Sequence, residues 1–199
     1  MLVTTLDETL IAEIGHAFGY YDYGDEGGLV TLFSGPEATA AYIRGYARGM
    51  LRGGFLHATS ERCEGFIAYK RPGEHLGPRT VWPLLRGTLK AMRWSEMKEF
   101  VRISKQGGPS LRDRFNKEKK PYVFVGLVCV REAYQGQGQM RKLMELAYAE
   151  GERLGVPVLL ETDAKSKCDK YVHLGMELAG TRGLGVHGKL YDLVWYPEK

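Results

Sequence analysis

The residues best placed to do chemistry lie between Tyr122 and Leu143, in the stretch YVFVGLVCVREAYQGQGQMRKL. An apolar block, Tyr122 to Val130, runs into the turn Gln135-Gly136-Gln137-Gly138-Gln139 and then into a helical pattern. A buried strand that feeds a glycine turn and a helix N-terminus builds an anion site. The N–H groups of the first helical turn have no intrahelical acceptor, and the positive end of the helix dipole stands behind them. The helix opens on Arg141 and Lys142, where a solvated helix favours Asp or Glu. Cations at that end cost up to about 1 kcal/mol unless an anion lies between them. The turn therefore reads as a phosphate site.

Three phosphate loops compete for it. A P-loop needs Gly-Lys-Ser/Thr at the helix start, and Gly138-Gln139-Met140 supplies none of it. A dinucleotide-binding turn needs Gly-x-Gly-x-x-Gly, and here Arg141 stands where the third glycine should be. Glu161 ends the next apolar run, about where a ribose-binding acid belongs, and this keeps the dinucleotide reading open.

The third loop fits best. Gln135-Gly136-Gln137-Gly138-Gln139-Met140 resembles the pyrophosphate loop of the GNAT superfamily of acyl-CoA-dependent N-acyltransferases, Gln/Arg-x-x-Gly-x-Gly/Ala. Gln135 and Gly138 match, and Met140 replaces the final small residue. Downstream, Tyr171-Val172-His173-Leu174-Gly175-Met176 resembles the Tyr-x-x-x-Gly-Phe segment of the same superfamily, with Met176 for the aromatic residue. Lys167 stands where many members carry Asn. The resemblance covers Tyr122 to Tyr196, and residues 1–120 fit only as the variable substrate-binding half.

The resemblance implies an N-acetyltransferase in which a primary amine of a small molecule or peptide attacks the thioester of acetyl-CoA directly, inside a ternary complex. The pyrophosphate would take N–H bonds from Gly136 to Arg141, the run that includes Gln137, Gln139 and Met140. The pantetheine arm would pair with the backbone of Val128 and Val130 as an added strand. N–H groups of the same strand would polarise the thioester carbonyl. Lys167 would offer the cofactor a cation, and Tyr171 would protonate the leaving thiolate, a step suited to a phenol near pKa 10. Without this context Tyr171 is an ordinary packing tyrosine. Glu132, Glu161, His57 and His173 are candidate general bases, and spacing selects none of them. A non-catalytic acyl-CoA-binding sensor and a nucleotide-binding protein stay open beside the enzyme.

These residues must be positioned by an α/β fold. Apolar spacing predicts a helix over Leu6–Phe18, and Ser34-Gly35-Pro36 opens a second that ends at Gly53-Gly54. Phe55–Ser60 and Phe66–Lys70 read as a hairpin. Gly77–Lys120 lacks strand alternation and predicts two or three short helices. Its Trp82, Arg86, Trp94 and Arg102 would either contact the acceptor or form a solvated platform. After the signature strand come a helix to Leu154, a strand Val156–Leu160, a helix Ser166–Leu174, and strands Met176–Arg182 and Lys189–Tyr196 around the turn Gly183–Gly188. The implied architecture is a GNAT-like single domain over 1–199, with 1–120 the variable half and 121–196 the acyl-CoA-binding core. Its sheet is mixed, mostly antiparallel and flanked by helices, with a helical insertion before the central strand.

Composition bounds the rest. A chain of 199 residues with 44% apolar, 26% charged and 11% aromatic residues has the size and make-up of one soluble domain. A net charge of +4 suits a small polyanion and is too weak to argue for nucleic acid. Cys63, Cys129 and Cys168 are odd in number and far apart, so no disulfide framework is expected, and Cys129 reads as a buried filler. No Cys-x-x-Cys or His-x-x-x-His spacing supports a metal. No signal-peptide pattern occurs, nor an apolar run near the ~18 residues of a membrane helix. The expectation is a cytoplasmic protein with no membrane contact. No pattern sets the oligomeric state, and a homodimer is admitted.

Overall fold

The computed structural model describes residues 1–26, 28–92 and 94–198. Its helices begin and end where local chemistry closes them. Helix α1 (Glu8–Gly19) opens on Asp7, whose side chain accepts the Leu10 N–H at 2.8 Å. Helix α2 (Pro36–Gly53) carries Pro36 in its first turn and stops at Gly54, whose φ of 74° only glycine adopts freely. The region expected to be helical holds α3 (Pro78–Ala91), α4 (Trp94–Gln106) and α5 (Leu111–Lys117). A reciprocal cap between Ser110 and Asp113 starts α5. Helices α6 (Gln139–Leu154) and α7 (Lys165–His173) complete the set. No helix of the described residues is long and apolar enough to cross a membrane.

Six strands, β1 (Leu56–Ala58), β2 (Gly65–Lys70), β3 (Val123–Val130), β4 (Val158–Thr162), β5 (Glu177–Gly183) and β6 (Lys189–Trp195), form one sheet in the order β1-β2-β3-β4-β6-β5. Only β3 and β4 run parallel, so the sheet is mixed and mostly antiparallel, as the resemblance implies. One strand is displaced from its expected place. Gly155 ends α6 in the left-handed conformation, and the Val156 N–H returns to the Gly151 carbonyl at 2.9 Å. Val156 thus belongs to the helix cap, β4 starts at Val158, and Glu161 falls inside the strand.

The two faces of the sheet are covered differently. Leu127 and Cys129 pack under α1 and α2 with Ile14, Ile43 and Ala47, while Leu159 and Val194 pack under α5 through Leu111. On the opposite face, Val123, Val125, Val158, Leu160 and Leu193 meet Leu143, Met144 and Ala147 of α6 and Tyr171 of α7. Strand β3 changes phase between Val125 and Leu127. Tyr69 pairs with Val125 and Ala68 with Leu127, which leaves Gly126 as a bulge.

The bulge decides where the backbone of β3 points. Before it, the Val123 N–H reaches toward β4 and bonds the Pro157 carbonyl at 2.9 Å. After it, the Arg131 N–H bonds Glu64 on the β2 side at 3.0 Å. By the two-residue period of a strand, Val128 and Val130 then direct their backbone polar groups to the β4 side. No β4 residue meets them, because the parallel pairing runs only from Val123↔Val158 to Val125↔Leu160. Beyond Leu160 the sheet is parted. A Cβ on Gly126 would stand 2.1 Å from Tyr46 Oη of α2, so the bulge has room for glycine alone. Gly126→Ala should destabilise the protein by about 1–3 kcal/mol in a urea titration. The double variant Gly126→Ala/Tyr46→Phe should recover part of that loss. Wild-type stability of the single variant would contradict the close approach.

Candidate functional site

The parting of β3 from β4 opens a cavity of about 600 Å³ that runs from the α6 N-terminus through the sheet to α1 and α2. Of the residues expected to bind a cofactor, Val128, Val130, Gln135, Gly136, Gly138, Gln139, Met140 and Lys167 line it, as does Tyr171. Gln137 and Arg141 do not. Both are exposed on the outer edge of the turn, where Gln137 Nε2 donates to the Ala133 carbonyl at 3.0 Å.

The turn itself is shaped by conformation. Gly136 and Gly138 have φ of 72° and 73°, and a Cβ built on either meets nothing within 4 Å. Glycine is needed there for the left-handed backbone, and the space before the loop stays open. The first-turn N–H groups of α6 face a turn with no acidic residue. Gln139 is 8% exposed, and its side-chain oxygen is buried without a hydrogen bond. Val130 has its carbonyl bonded by Gln135 Nε2 at 3.3 Å. Backbone donors around an open loop, an orphaned amide and an unpaired strand edge together fit a ligand that carries both phosphates and amides.

Tyr171 sits on α7 among Met144, Leu160 and Met176. Burial first, and then the charge of Asp163, push its phenol well above the usual tyrosine range, so it stays protonated. Lys167 is already engaged. Its Nζ lies 2.8 Å from Asp163 Oδ1 and 3.1 Å from Tyr23 Oη, and 4.2 and 4.5 Å from the ring centres of Tyr21 and Tyr23. Its charge is neutralised inside this cage of one carboxylate and two rings. Cys129 is buried, and its thiol is pushed up to about 12 by burial, which leaves it unreactive.

Of the four candidate bases, Glu161 alone lines the cavity. Glu132 is exposed on a short 3₁₀ turn, and His173 is exposed at the end of α7. His57 is buried elsewhere, stacked on Tyr69 at 4.5 Å, with its imidazole lowered by burial. Glu161 is held by Arg182 of β5, which reaches across β6. Arg182 Nη2 bonds Glu161 Oε2 at 2.8 Å and Asp192 Oδ1 at 2.9 Å, while its Nε bonds Asp192 Oδ2 at 3.0 Å. Asp192 also accepts the Leu111 N–H at 3.3 Å, which fixes the start of α5 above this buried group.

The helical insertion is placed otherwise than one of its two readings. Trp82 is 66% exposed, and neither it nor Arg86 nor Arg102 lines the cavity. The side chain of Trp94 lies outside the described residues. Helix α3 packs on the far side of α2, where Gly87 lies against Gly45. Arg102 pairs with Glu99 instead. Only α5 approaches the site, bringing Arg112 Nε to 3.8 Å from Glu161 Oε1. Sequence reasoning missed Asp163, Tyr21, Tyr23, Tyr42 and Tyr46. The run Tyr20-Tyr21-Asp22-Tyr23 and the one-turn spacing of Tyr42 and Tyr46 were the available signals.

No protein-family model matches the sequence, and no curated protein matches it. Solved structures do match over the whole length. Arylalkylamine N-acetyltransferase 2 from Aedes aegypti is 13% identical, over 98% of this chain and 97% of that one, with a TM-score of 0.56. An N-acetyltransferase from Staphylococcus aureus Mu50 is also 13% identical, over 98% and 99%, at 0.56. A protein described as histone acetyltransferase HPA2 and related acetyltransferase, from Corynebacterium glutamicum, is 16% identical over 100% and 98%, at 0.55. The chain has the GNAT fold. Gly138→Ala places an L-residue at positive φ and should cost about 1–2 kcal/mol in thermal or urea unfolding. An unchanged midpoint would mean that the turn is not held in this conformation.

Proposed function

We propose that the protein is an N-acetyltransferase that moves an acetyl group from acetyl-CoA to a primary amine. The observation that carries this reading is the parted β3/β4 edge, open beside the glycine turn at the α6 N-terminus, with Tyr171 in the same cavity. A GNAT fold shared at full length with proteins described as acetyltransferases supports the class.

Each proposed role follows from a position. The N–H groups of Gly136 to Arg141 hold the pyrophosphate, with Arg141 and Lys142 adding positive potential at the loop's rim. Gln139 offers its buried, unpaired side-chain oxygen as an acceptor to an N–H of the same ligand. Val128, and Val130 through its N–H, lend their backbone edge to the pantetheine arm in the manner of an added strand, the Val130 carbonyl being taken by Gln135. Tyr171 donates a proton to the departing sulfur. The burial that raises its phenol also raises the basicity of a thiolate in the same dry cavity, so donor and acceptor stay matched. Lys167, held by Asp163, shapes the cavity wall rather than meeting the phosphates. The cysteines Cys63, Cys129 and Cys168 are all free, which suits the reducing cytoplasm where we place the protein.

Acetyl-CoA should raise the melting temperature where NAD and ATP do not, and thiol should be released when an amine acceptor is added. Stabilisation by NAD alone would sink the reading, and binding without thiol release across a broad amine panel would leave an acyl-CoA sensor. Tyr171→Phe should lower kcat by about 10²–10⁴-fold, with acetyl-CoA affinity by calorimetry unchanged. Unaltered turnover would remove Tyr171 from the chemistry.

A further inference from the structure

Helix α3 distributes its side chains in an inverted order. Its buried stripe is made of small or compact residues, Thr80, Pro83, Gly87 and Ala91, and large apolar residues stand on its exposed face. The small side follows from packing. A Cβ on Gly87 would stand 2.8 Å from Gly45 Cα, and one on Gly49 would stand 2.7 Å from the Thr80 carbonyl oxygen, so α2 and α3 approach to backbone contact. The outer side has no such cause. Trp82, Leu85 and Leu89 succeed one another at spacings of three and four residues, which aligns them in one row away from α2. They are 66%, 48% and 64% exposed. Apolar residues scattered singly over a surface are ordinary, but three large ones in a row on a solvent face form a patch.

The patch is edged by positive charge alone. Arg79, Arg86 and Lys90 are exposed along one flank of the row, and between Glu74 and Glu96 the sequence holds no carboxylate. Arginines on the neighbouring helices are paired. Arg44 of α2 meets Glu37 at 2.6 Å, Arg48 of α2 meets Glu8 of α1, and Arg102 of α4 meets Glu99. On α3, Arg79, Arg86 and Lys90 have no ion-pair partner among the described residues.

We propose that the outer face of α3 is a membrane-docking surface, and that its partner is the anionic headgroup region of a phospholipid bilayer. The row of Trp82, Leu85 and Leu89 enters the boundary between headgroups and acyl chains, where an indole ring is favoured, while Arg79, Arg86 and Lys90 meet lipid phosphates. A helix of 14 residues is too short to span a bilayer, and a row along its outer face suits it to lie in the surface plane instead.

Two other partners match this face less well. A second copy of the chain would bring the same row and the same cations, with no carboxylate on α3 to meet them. Nucleic acid would meet the cations but set Trp82, Leu85 and Leu89 against a charged backbone. Helix α3 contributes no residue to the acetyl-transfer cavity, so docking there is independent of the proposed activity. The sequence predicts no membrane contact from its lack of spanning and signal patterns, and a helix lying on a surface needs neither.

The test sediments the full chain with large vesicles of two compositions, phosphatidylcholine alone and equal parts of phosphatidylcholine and phosphatidylglycerol. The mixed vesicles should bind it about tenfold more strongly or better, and added salt should weaken that binding. Trp82→Ser/Leu89→Ser should lower the partition into mixed vesicles about tenfold by removing the anchors. Arg86→Glu/Lys90→Glu should lower it by a similar factor by reversing charge. All four side chains are exposed, and unchanged melting temperatures report folded variants. If one variant does not fold, the other and the contrast between the two lipids decide. Equal binding to the two kinds of vesicle, or binding to neither, overturns the proposal. Wild-type binding by Trp82→Ser/Leu89→Ser overturns it too, and loss in the charge variant alone then marks a surface for any polyanion, nucleic acid included. A wild-type dimer in sedimentation equilibrium that Trp82→Ser/Leu89→Ser dissociates also overturns it and assigns the face to a second copy. None of these outcomes bears on acetyl transfer.

Discussion

The site depends on one failure of pairing. Parallel strands β3 and β4 share register from Val123↔Val158 to Val125↔Leu160 and then separate, while each stays bonded to its other neighbour, β2 or β6. Gly126 is the hinge of that separation, the bulge that reverses which side of β3 faces which helix layer. Tyr46 of α2 occupies the space a side chain there would need. A sheet normally satisfies its backbone internally, because an unmade buried bond costs more than a made one returns. Here the Val128 backbone and the Val130 N–H are left to a ligand or to water, while the Val130 carbonyl is taken by the Gln135 side chain.

Charge is organised around the same opening. Arg182 is the only arginine among the described buried residues, and it spans three strands by bonding Asp192 and Glu161 from β5. Such an arrangement adds little net stability, since desolvation offsets most of the attraction. Its effect is geometric, holding Glu161 in place beside the opening. Lys167 shows the opposite economy. A lysine where many GNAT members carry Asn suggests a cation for the cofactor, but Asp163 four residues earlier and the tyrosines after α1 absorb it. Lys167 thereby ties the segment after α1 to α7.

Much of this was legible in the sequence, and what was not has a physical cause. Glycines at positive φ beside an apolar block mark a strand–turn–helix unit locally, so the loop, α6 and α7 could be read from residues adjacent in the chain. The mixed, mostly antiparallel sheet followed from the resemblance, and the order of its strands was not read, since no local pattern encodes which edges meet. The start of β4 was misplaced by two residues because Val156, apolar like a strand residue, closes the helix cap. The bulge at Gly126 was invisible, because a continuous apolar run carries no phase from which a phase change could be seen. Tyr21, Tyr42, Tyr46 and Asp163 escaped for another reason: they meet only through tertiary packing, from α1, α2 and the end of β4.

That difference separates the two halves of the proposed reaction. A cofactor grip built from N–H groups and a strand edge depends on backbone shape, which a short glycine-containing motif specifies and which tolerates change in most side chains around it. The resemblance accordingly sits in Tyr122 to Tyr196, and identity to full-length structural neighbours can fall to 13% while the fold is kept. The other wall of the opening, with Tyr42, Ile43 and Tyr46 from α2 and Glu161 from β4, depends on side chains scattered over two elements, each free to vary without disturbing the backbone grip. Donor chemistry can therefore be read from one stretch of chain. Acceptor chemistry becomes readable only once α2 has been laid over the opening.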